Sequence, residues 1–332
     1  MEKKFKILGI GNAMVDILIH VTNDFLSEHG IQKGVMQLID IQRANFLYSD
    51  FGSKKEVSGG SGANTVAGLA SLGVPTCYIG KVRNDPLGNK FRSDLLCMDI
   101  NFETKFYKKS RLAETGRCIV FVTPDGERSL NTYLGVTEFL TENDIEPTKV
   151  ELSDWLYLEG YRFDGLESER AFTKAINIAK KNNNRIALTL SDPFCVERNF
   201  SAFKRLIANG LDLLFCNEFE LKLLYKTGKL EEAVRKAAVD LPLLACTLGE
   251  KGVLVCQSGK ILEIPAKRTK PVDTTGAGDL FASGFFYGLI NNQTLADCGA
   301  MGNLAAYEVI GHLGARPEVD LRSLFSREGF II

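Results

Sequence analysis

The chain reads as an α/β protein: a three-layer α/β/α domain on a mainly parallel sheet, with a second, small β-sheet beside it. Three observations predict this. From about residue 150 onward, short apolar runs alternate with helical repeats, which implies parallel strands with helices on both faces. Between residues 101 and 135 the pattern is β-rich instead, and Pro124-Asp125-Gly126 turns the chain between two β-prone runs. The 332 residues, 45% of them hydrophobic, suffice for one large core plus a small appended unit.

Taken in order, the run 5–11 is short, apolar and bounded by glycine and asparagine, so it reads as a buried strand. Segments 15–19 and 35–39 are strand-like but less uniformly apolar, as in a sheet covered on one face. Residues 63–72 repeat apolar side chains at helical spacing and stop at Gly73, with Pro75 beyond. Strands are expected at 104–108, 117–123 and 128–134. The hairpin, together with strands from 12–40, is assigned to the small sheet. The expected division is 1–11, 41–100 and 136–332 for the large unit, with 12–40 and 101–135 for the small one. The later alternation places strands at 155–158, 185–190, 212–216 and 243–247, and helices at 167–181, 197–209, 218–226 and 230–238. A hairpin of 253–256 and 260–264 and two helices, 277–290 and 295–310, close the chain.

Composition excludes several classes. With 40 Lys+Arg against 41 Asp+Glu, the net charge of -1 offers no whole-molecule attraction to nucleic acid or to an anionic membrane. The eight cysteines never form C-x-x-C and there are three histidines, so neither a structural zinc site nor a Cys-His-Asn protease shows its spacing. Buried free thiols in a reducing cytosol are the expectation. Asn12 and Asp16 interrupt the first apolar run, which argues against a signal peptide. No apolar segment reaches the ~18 residues of a membrane span. A cytoplasmic protein is expected.

The most informative segment is Asp273-Thr-Thr-Gly-Ala-Gly-Asp279, running into a helix. Gly276, Ala277 and Gly278 would enter that helix with unpaired N–H groups, and the helix dipole adds positive charge there, which makes an anion pocket. Asp279 then stands in the first turn. It suits deprotonation of a hydroxyl attacking a bound phosphate; it would equally serve as a dipole partner. Gly59-Gly60-Ser61-Gly62-Ala63-Asn64 is a second glycine-rich entry to a helix, either a tight turn or bare backbone for a polar ligand. Neither it nor Gly9-Ile-Gly11 completes G-x-G-x-x-G, and no Walker A run occurs. Asp16, among apolar neighbours, needs partners: a vicinal diol, or exposure on an edge strand. Asn217-Glu-Phe-Glu220 closes a strand at the carboxyl edge of the sheet, where Asn217 and Glu220 are placed to steer Mg²⁺ waters or to cap a helix. Thr247, Gly249 and Gly252 form another strand-end loop compatible with a nucleotide. Phe281, Phe285, Phe286 and Leu289 recur at core spacing.

Together, Asp273–Asp279 with the following Leu-Phe-Ala-Ser-Gly-Phe, and Gly59 to Gly73, resemble the two signatures of the ribokinase (PfkB) family, in the expected order over about residues 5–320. The resemblance implies a ribokinase-like fold with a small β lid and ATP-dependent phosphorylation of a hydroxymethyl group. It makes Asp279 the base and Gly276, Ala277 and Gly278 the anion hole. It gives Asn217 and Glu220 to Mg²⁺ through water, Thr247, Gly249 and Gly252 to the nucleotide, and Asn303 to the adenine side. A monovalent cation is a further cofactor it admits. For the acceptor it implies Asp16 holding two ribose hydroxyls, with Asn12, Gly60, Ser61 and Asn64 around it. Gly11-Asn12-x-x-x-Asp16, Leu190-Ser-Asp-Pro-Phe194 and Gly311 to Pro317 are most similar to the family's adenosine kinases, so adenosine to AMP, a purine-salvage step, is the first expectation, with Phe194 beside the base. Arg162 stands where those kinases place a stacking aromatic; its guanidinium plane can stack on a base, or it equally signals a more polar or anionic acceptor. A sugar kinase taking ribose, fructose or a related furanose is the alternative, and a non-catalytic nucleotide sensor is the alternative of another class. Monomers and lid-paired homodimers both occur in the family.

Overall fold

The computed structural model describes residues 2–49, 55–109, 113–163 and 166–331. Among the described residues, thirteen strands form two sheets: β1 (Phe5–Ile10), β2 (Met14–His20), β3 (Met36–Leu38), β4 (Lys55–Gly59), β5 (Thr76–Ile79), β6 (Gly116–Val122), β7 (Arg128–Tyr133), β8 (Ser153–Glu159), β9 (Arg185–Thr189), β10 (Leu213–Asn217), β11 (Leu243–Thr247), β12 (Val253–Gln257) and β13 (Lys260–Ile264).

The large sheet runs β13-β12-β11-β10-β9-β8-β1-β5. It is parallel from β5 to β11, and the β12–β13 hairpin adds antiparallel strands at one edge. Alternation along each strand feeds two cores. Trp155, Tyr157 and Phe215 face Phe285 and Phe286 of the helix Ala277–Ile290, while Leu156, Leu158, Ile186 and Leu188 face the helices Leu166–Lys181 and Pro193–Ala208. Phe286 meets Trp155 and Tyr157 edge-on at 5.4 and 5.5 Å, a geometry that ring quadrupoles favour.

The small sheet runs β3-β7-β6-β2-β4, with the β6–β7 hairpin turning where Pro124-Asp125-Gly126 predicts. Its outer face, Val15, Ile17, Ile119 and Phe121, is buried with Leu26 and Leu47 of two short helices, Asn23–Glu28 and Ile41–Ser49. Its inner face, Met14, Leu18, Cys118, Val120 and Val122, forms a separate apolar cluster toward the main body.

Three details differ from the sequence reading. β4 pairs with β2 in the small sheet, so segment 41–100 is shared between the two sheets. Among the described residues, the strand expected at 104–108 is reduced to one bridge, Arg83 to Tyr107. The helix expected at 197–209 starts at Pro193, where the Asp192 carboxylate accepts the Cys195 N–H at 2.6 Å and proline sets the first turn. Seven cysteines are buried and Cys97 is exposed, all as free thiols. Among the described residues, no helix is long and apolar enough to cross a membrane.

Candidate active site

The carboxyl ends of β1, β8, β10 and β11 and the starts of two helices meet beneath the inner face of the small sheet around a cavity of about 470 Å³. The location follows from parallel topology, which points helix N-termini and strand ends to one edge. Asp16, Asn12, Gly60, Ser61, Asn64, Asn217, Glu220, Thr247 and the stretch 276–279 all line it.

Asp279 sits in the first turn of the helix Ala277–Ile290. Its two oxygens accept hydrogen bonds from Ser61 Oγ (2.6 Å) and Asn64 Nδ2 (3.0 Å), both on the helix Ser61–Ser71. The two glycine-rich signatures are thus joined through one carboxylate. Burial pushes the Asp279 pKa up to about 6, and the two hydrogen bonds work against that rise. A carboxylate poised there is ionised at neutral pH yet basic enough to take a proton.

Gly276 caps this helix with φ 78°, and a Cβ there would lie 2.7 Å from the Ala315 Cα. The Ala277 N–H is turned back to the Thr274 carbonyl at 3.2 Å. The N–H groups of Gly276, Gly278 and Asp279 make no hydrogen bond among the described residues, so these, more than Ala277, are free for an anion.

Arg128 of β7 ties the small sheet to the loop before the helix Ala277–Ile290. Its guanidinium ion-pairs with Asp273 and donates to Thr275 Oγ1, while Asp273 accepts the N–H of Thr275 and of Gly314, each at 2.7 Å. Desolvation lowers the Arg128 pKa to about 10, which leaves it a cation at neutral pH. The small sheet is thereby latched to the loop 273–276 by a nearly buried charge.

Asp16 lies on β2 between Val57 of β4 and Cys118 of β6. Its carboxylate accepts no hydrogen bond among the described residues, so its lone pairs are open to the cavity it lines. Burial raises its pKa to about 7; Arg316 and Arg128 oppose the rise and Asp279 adds to it.

The sequence profile of the pfkB family carbohydrate kinases matches residues 48–321. The chain belongs to the pfkB family. It is accordingly a kinase that transfers a phosphoryl group from ATP to an alcohol. Among solved structures, this pfkB kinase is 42% identical to the adenosine kinase from Sinorhizobium meliloti (98% of this chain, 100% of that one, TM-score 0.91). It is 40% identical to a probable sugar kinase protein from Rhizobium etli CFN 42 (99% and 100%, TM-score 0.92). Adenosine kinase 2 of Arabidopsis thaliana is 27% identical over 333 residues (93% of this chain, 94% of that one).

At the end of β10 in this kinase, Asn217 and Glu220 form a capping box. Asn217 Oδ1 accepts the N–H groups of Phe219 and Glu220 at 2.9 Å, and Glu220 accepts the Asn217 backbone N–H (2.9 Å) and side-chain amide (2.6 Å). The capping role foreseen for Asn217 is therefore present, on the cavity wall. No cluster of three or more His, Cys, Asp or Glu able to hold a metal occurs among the described residues. Asn217 and Glu220 bring oxygen atoms to this wall, the ligand type that Mg²⁺ and its waters take.

Four sequence candidates lie off the cavity lining. Phe194 is 67% exposed at the start of its helix. Gly249 and Gly252 bracket a short 3₁₀ turn after β11. Asn303 ties down the chain after β13 by donating to the carbonyls of Ile264 (3.1 Å) and Pro265 (3.2 Å). Arg162 is also displaced from its expected place. It is buried in the core, donating to Ser168 Oγ and to the Glu138 carbonyl, and Tyr161 lines the cavity instead. Arg128, Glu159 and Tyr161 were not found by sequence reasoning, since no motif or periodicity marks them.

Gly276→Ala should lower kcat by about 10-fold or more. A left-handed residue with a side chain is strained by roughly 1–2 kcal/mol, and the contact with Ala315 would displace the anion loop. Steady-state kinetics beside a thermal melt checks this; wild-type turnover would show that the loop geometry is not required.

Proposed function

We propose that this pfkB kinase phosphorylates the 5′-hydroxyl of a nucleoside, adenosine first, giving AMP. The observation that carries the reading is the composition of one cavity. Asp16 offers an open carboxylate and Asp279 a half-buried base in one lining. To the same lining the small sheet contributes Met14, Cys118, Val120, Leu130 and Leu134, and the main body contributes Tyr161. A diol-binding carboxylate beside an apolar wall suits a ribose carrying a flat base; a free sugar would leave that wall wet. Arg162, the residue that pointed to a more polar acceptor, is turned into the core. The relatives alone do not choose, since an adenosine kinase and a probable sugar kinase stand at nearly equal identity.

In this reading Asp16 and Asn12 hold the acceptor so that its hydroxyl meets Asp279, which takes the proton as the new O–P bond forms. The free N–H groups of Gly276, Gly278 and Asp279 stabilise the charge on the transferring phosphoryl, and Thr247 and Glu220 line the path of the nucleotide. Catalysis is chiefly positioning and charge stabilisation. Mg²⁺ on the ATP phosphates would neutralise charge there, with Asn217 and Glu220 ordering its waters.

Incubating the protein with ATP, Mg²⁺ and a panel of nucleosides and sugars tests the reading. Adenosine should show the highest kcat/KM. Turnover of ribose or fructose with all nucleosides inert would make it a sugar kinase, and ATP binding with no turnover on any alcohol would make it a sensor.

A further inference from the structure

Glu159, the last residue of β8, is fully buried and forms no ion pair among the described residues. Three donors converge on it. Its Oε2 accepts the backbone N–H of Asn12 (3.1 Å) and of Gly62 (2.7 Å), and its Oε1 accepts the Asn12 side-chain amide (2.8 Å). The opposite end of that amide is also fixed, because Asn12 Oδ1 accepts from Thr137 Oγ1 at 3.2 Å and Thr137 Oγ1 in turn accepts the Ala13 N–H at 3.1 Å. The surroundings are shaped to this carboxylate. A Cβ at Gly11 would lie 2.2 Å from Oε2, and one at Gly62 3.0 Å.

Gly62 is the second residue of the helix Ser61–Ser71, whose cap, Gly60, has no side chain to satisfy the first N–H groups. Glu159 therefore supplies from another strand the acceptor and the negative charge that a helix start calls for. The same helix carries Ser61 and Asn64, which hold Asp279, while Asn12 leads into β2 and Asp16.

We propose that Glu159 is a positioning residue that staples the acceptor-holding segment to the base-holding helix, setting the distance and donor polarity between them. This rests on the roles given above to Asp16 and Asp279. Only an acceptor-only group serves three donors. Glutamine of the same shape must turn its NH₂ toward one of them, or force the Asn12 amide to flip against Thr137.

Glu159→Gln in the full-length protein tests this in two ways. In the absence of any substrate, hydrogen exchange at the Asn12 and Gly62 amides should quicken about tenfold, since a neutral oxygen accepts more weakly than a carboxylate. In steady state, the KM for whichever alcohol the protein phosphorylates should rise about tenfold, with the KM for ATP within about twofold. Unchanged exchange would overturn the proposal, and so would equal rises in both KM values with a lower melting temperature, the signature of a residue that serves the fold alone. The exchange result needs no acceptor, so its failure is separate from a failure of the nucleoside reading. If Glu159→Gln does not fold, Thr137→Val decides: it frees the far end of the Asn12 amide and should raise the alcohol KM selectively, and an unmoved KM would refute the staple.

Discussion

Asp279→Asn is expected to cut kcat by about 10²-fold or more while the KM for ATP changes little. The side chain loses its ability to take a proton but keeps its shape, with Asn64 Nδ2 and Ser61 Oγ still in reach as donor and acceptor. The same variant should be more stable than the wild type in mild alkali. Burial lifts the Asp279 pKa from the usual carboxylate value to about 6. A group whose folded pKa is raised contributes its stability fully below its unfolded pKa and loses it as pH rises through the folded one. Above about pH 6 the fold therefore holds a desolvated charge that asparagine removes, and the melting temperature of the variant should exceed that of the wild type there and converge with it below pH 4. Wild-type kcat/KM should correspondingly fall as pH drops below about 6, when the base is protonated. Wild-type turnover in the variant would take Asp279 out of the chemistry, and a lower melting temperature at pH 8 would contradict its desolvation.

Asp16→Ala should raise the acceptor KM by about 10²-fold or more and leave ATP binding nearly intact. Two hydroxyls on one carboxylate are charge-assisted hydrogen bonds, each contributing roughly 1.5–3 kcal/mol. The carboxylate accepts no hydrogen bond among the described residues, so its removal orphans no hydrogen-bond donor, while Arg316 and Arg128 lose a nearby negative charge. A cycle with deoxy acceptors sharpens the test. Removing a ring hydroxyl should weaken binding to the wild type and cost almost nothing further in the variant. If deoxy acceptors lose as much with Asp16→Ala as with the wild type, the diol is held elsewhere.

Much of the site was legible because two short segments each carry their own local geometry. Glycines before a helix leave N–H groups free, and an asparagine at the end of a strand caps the helix after it. Side-chain direction was not legible. Phe194 and Arg162 occupy positions in suggestive motifs, yet the first is exposed and the second is packed into the core, because neighbouring helices decide where each side chain fits. The small sheet's recruitment of β4 was hidden for a similar reason: five residues with mixed polarity have no period of their own and become a strand by pairing with β2.

By itself, then, the order of apolar runs, turns and glycine-rich helix entries determined the α/β layering, the hairpin at 124–126, and the two segments that flank the cavity. These are local properties, expressed by any chain with that spacing. Only the tertiary structure decided that Ser61 meets Asp279 across 218 positions, that Arg128 latches onto Asp273, and that Glu159 gathers three donors from two other segments. Buried charges take their partners from whatever the packed fold brings within about 3 Å, and that proximity leaves no trace in linear spacing.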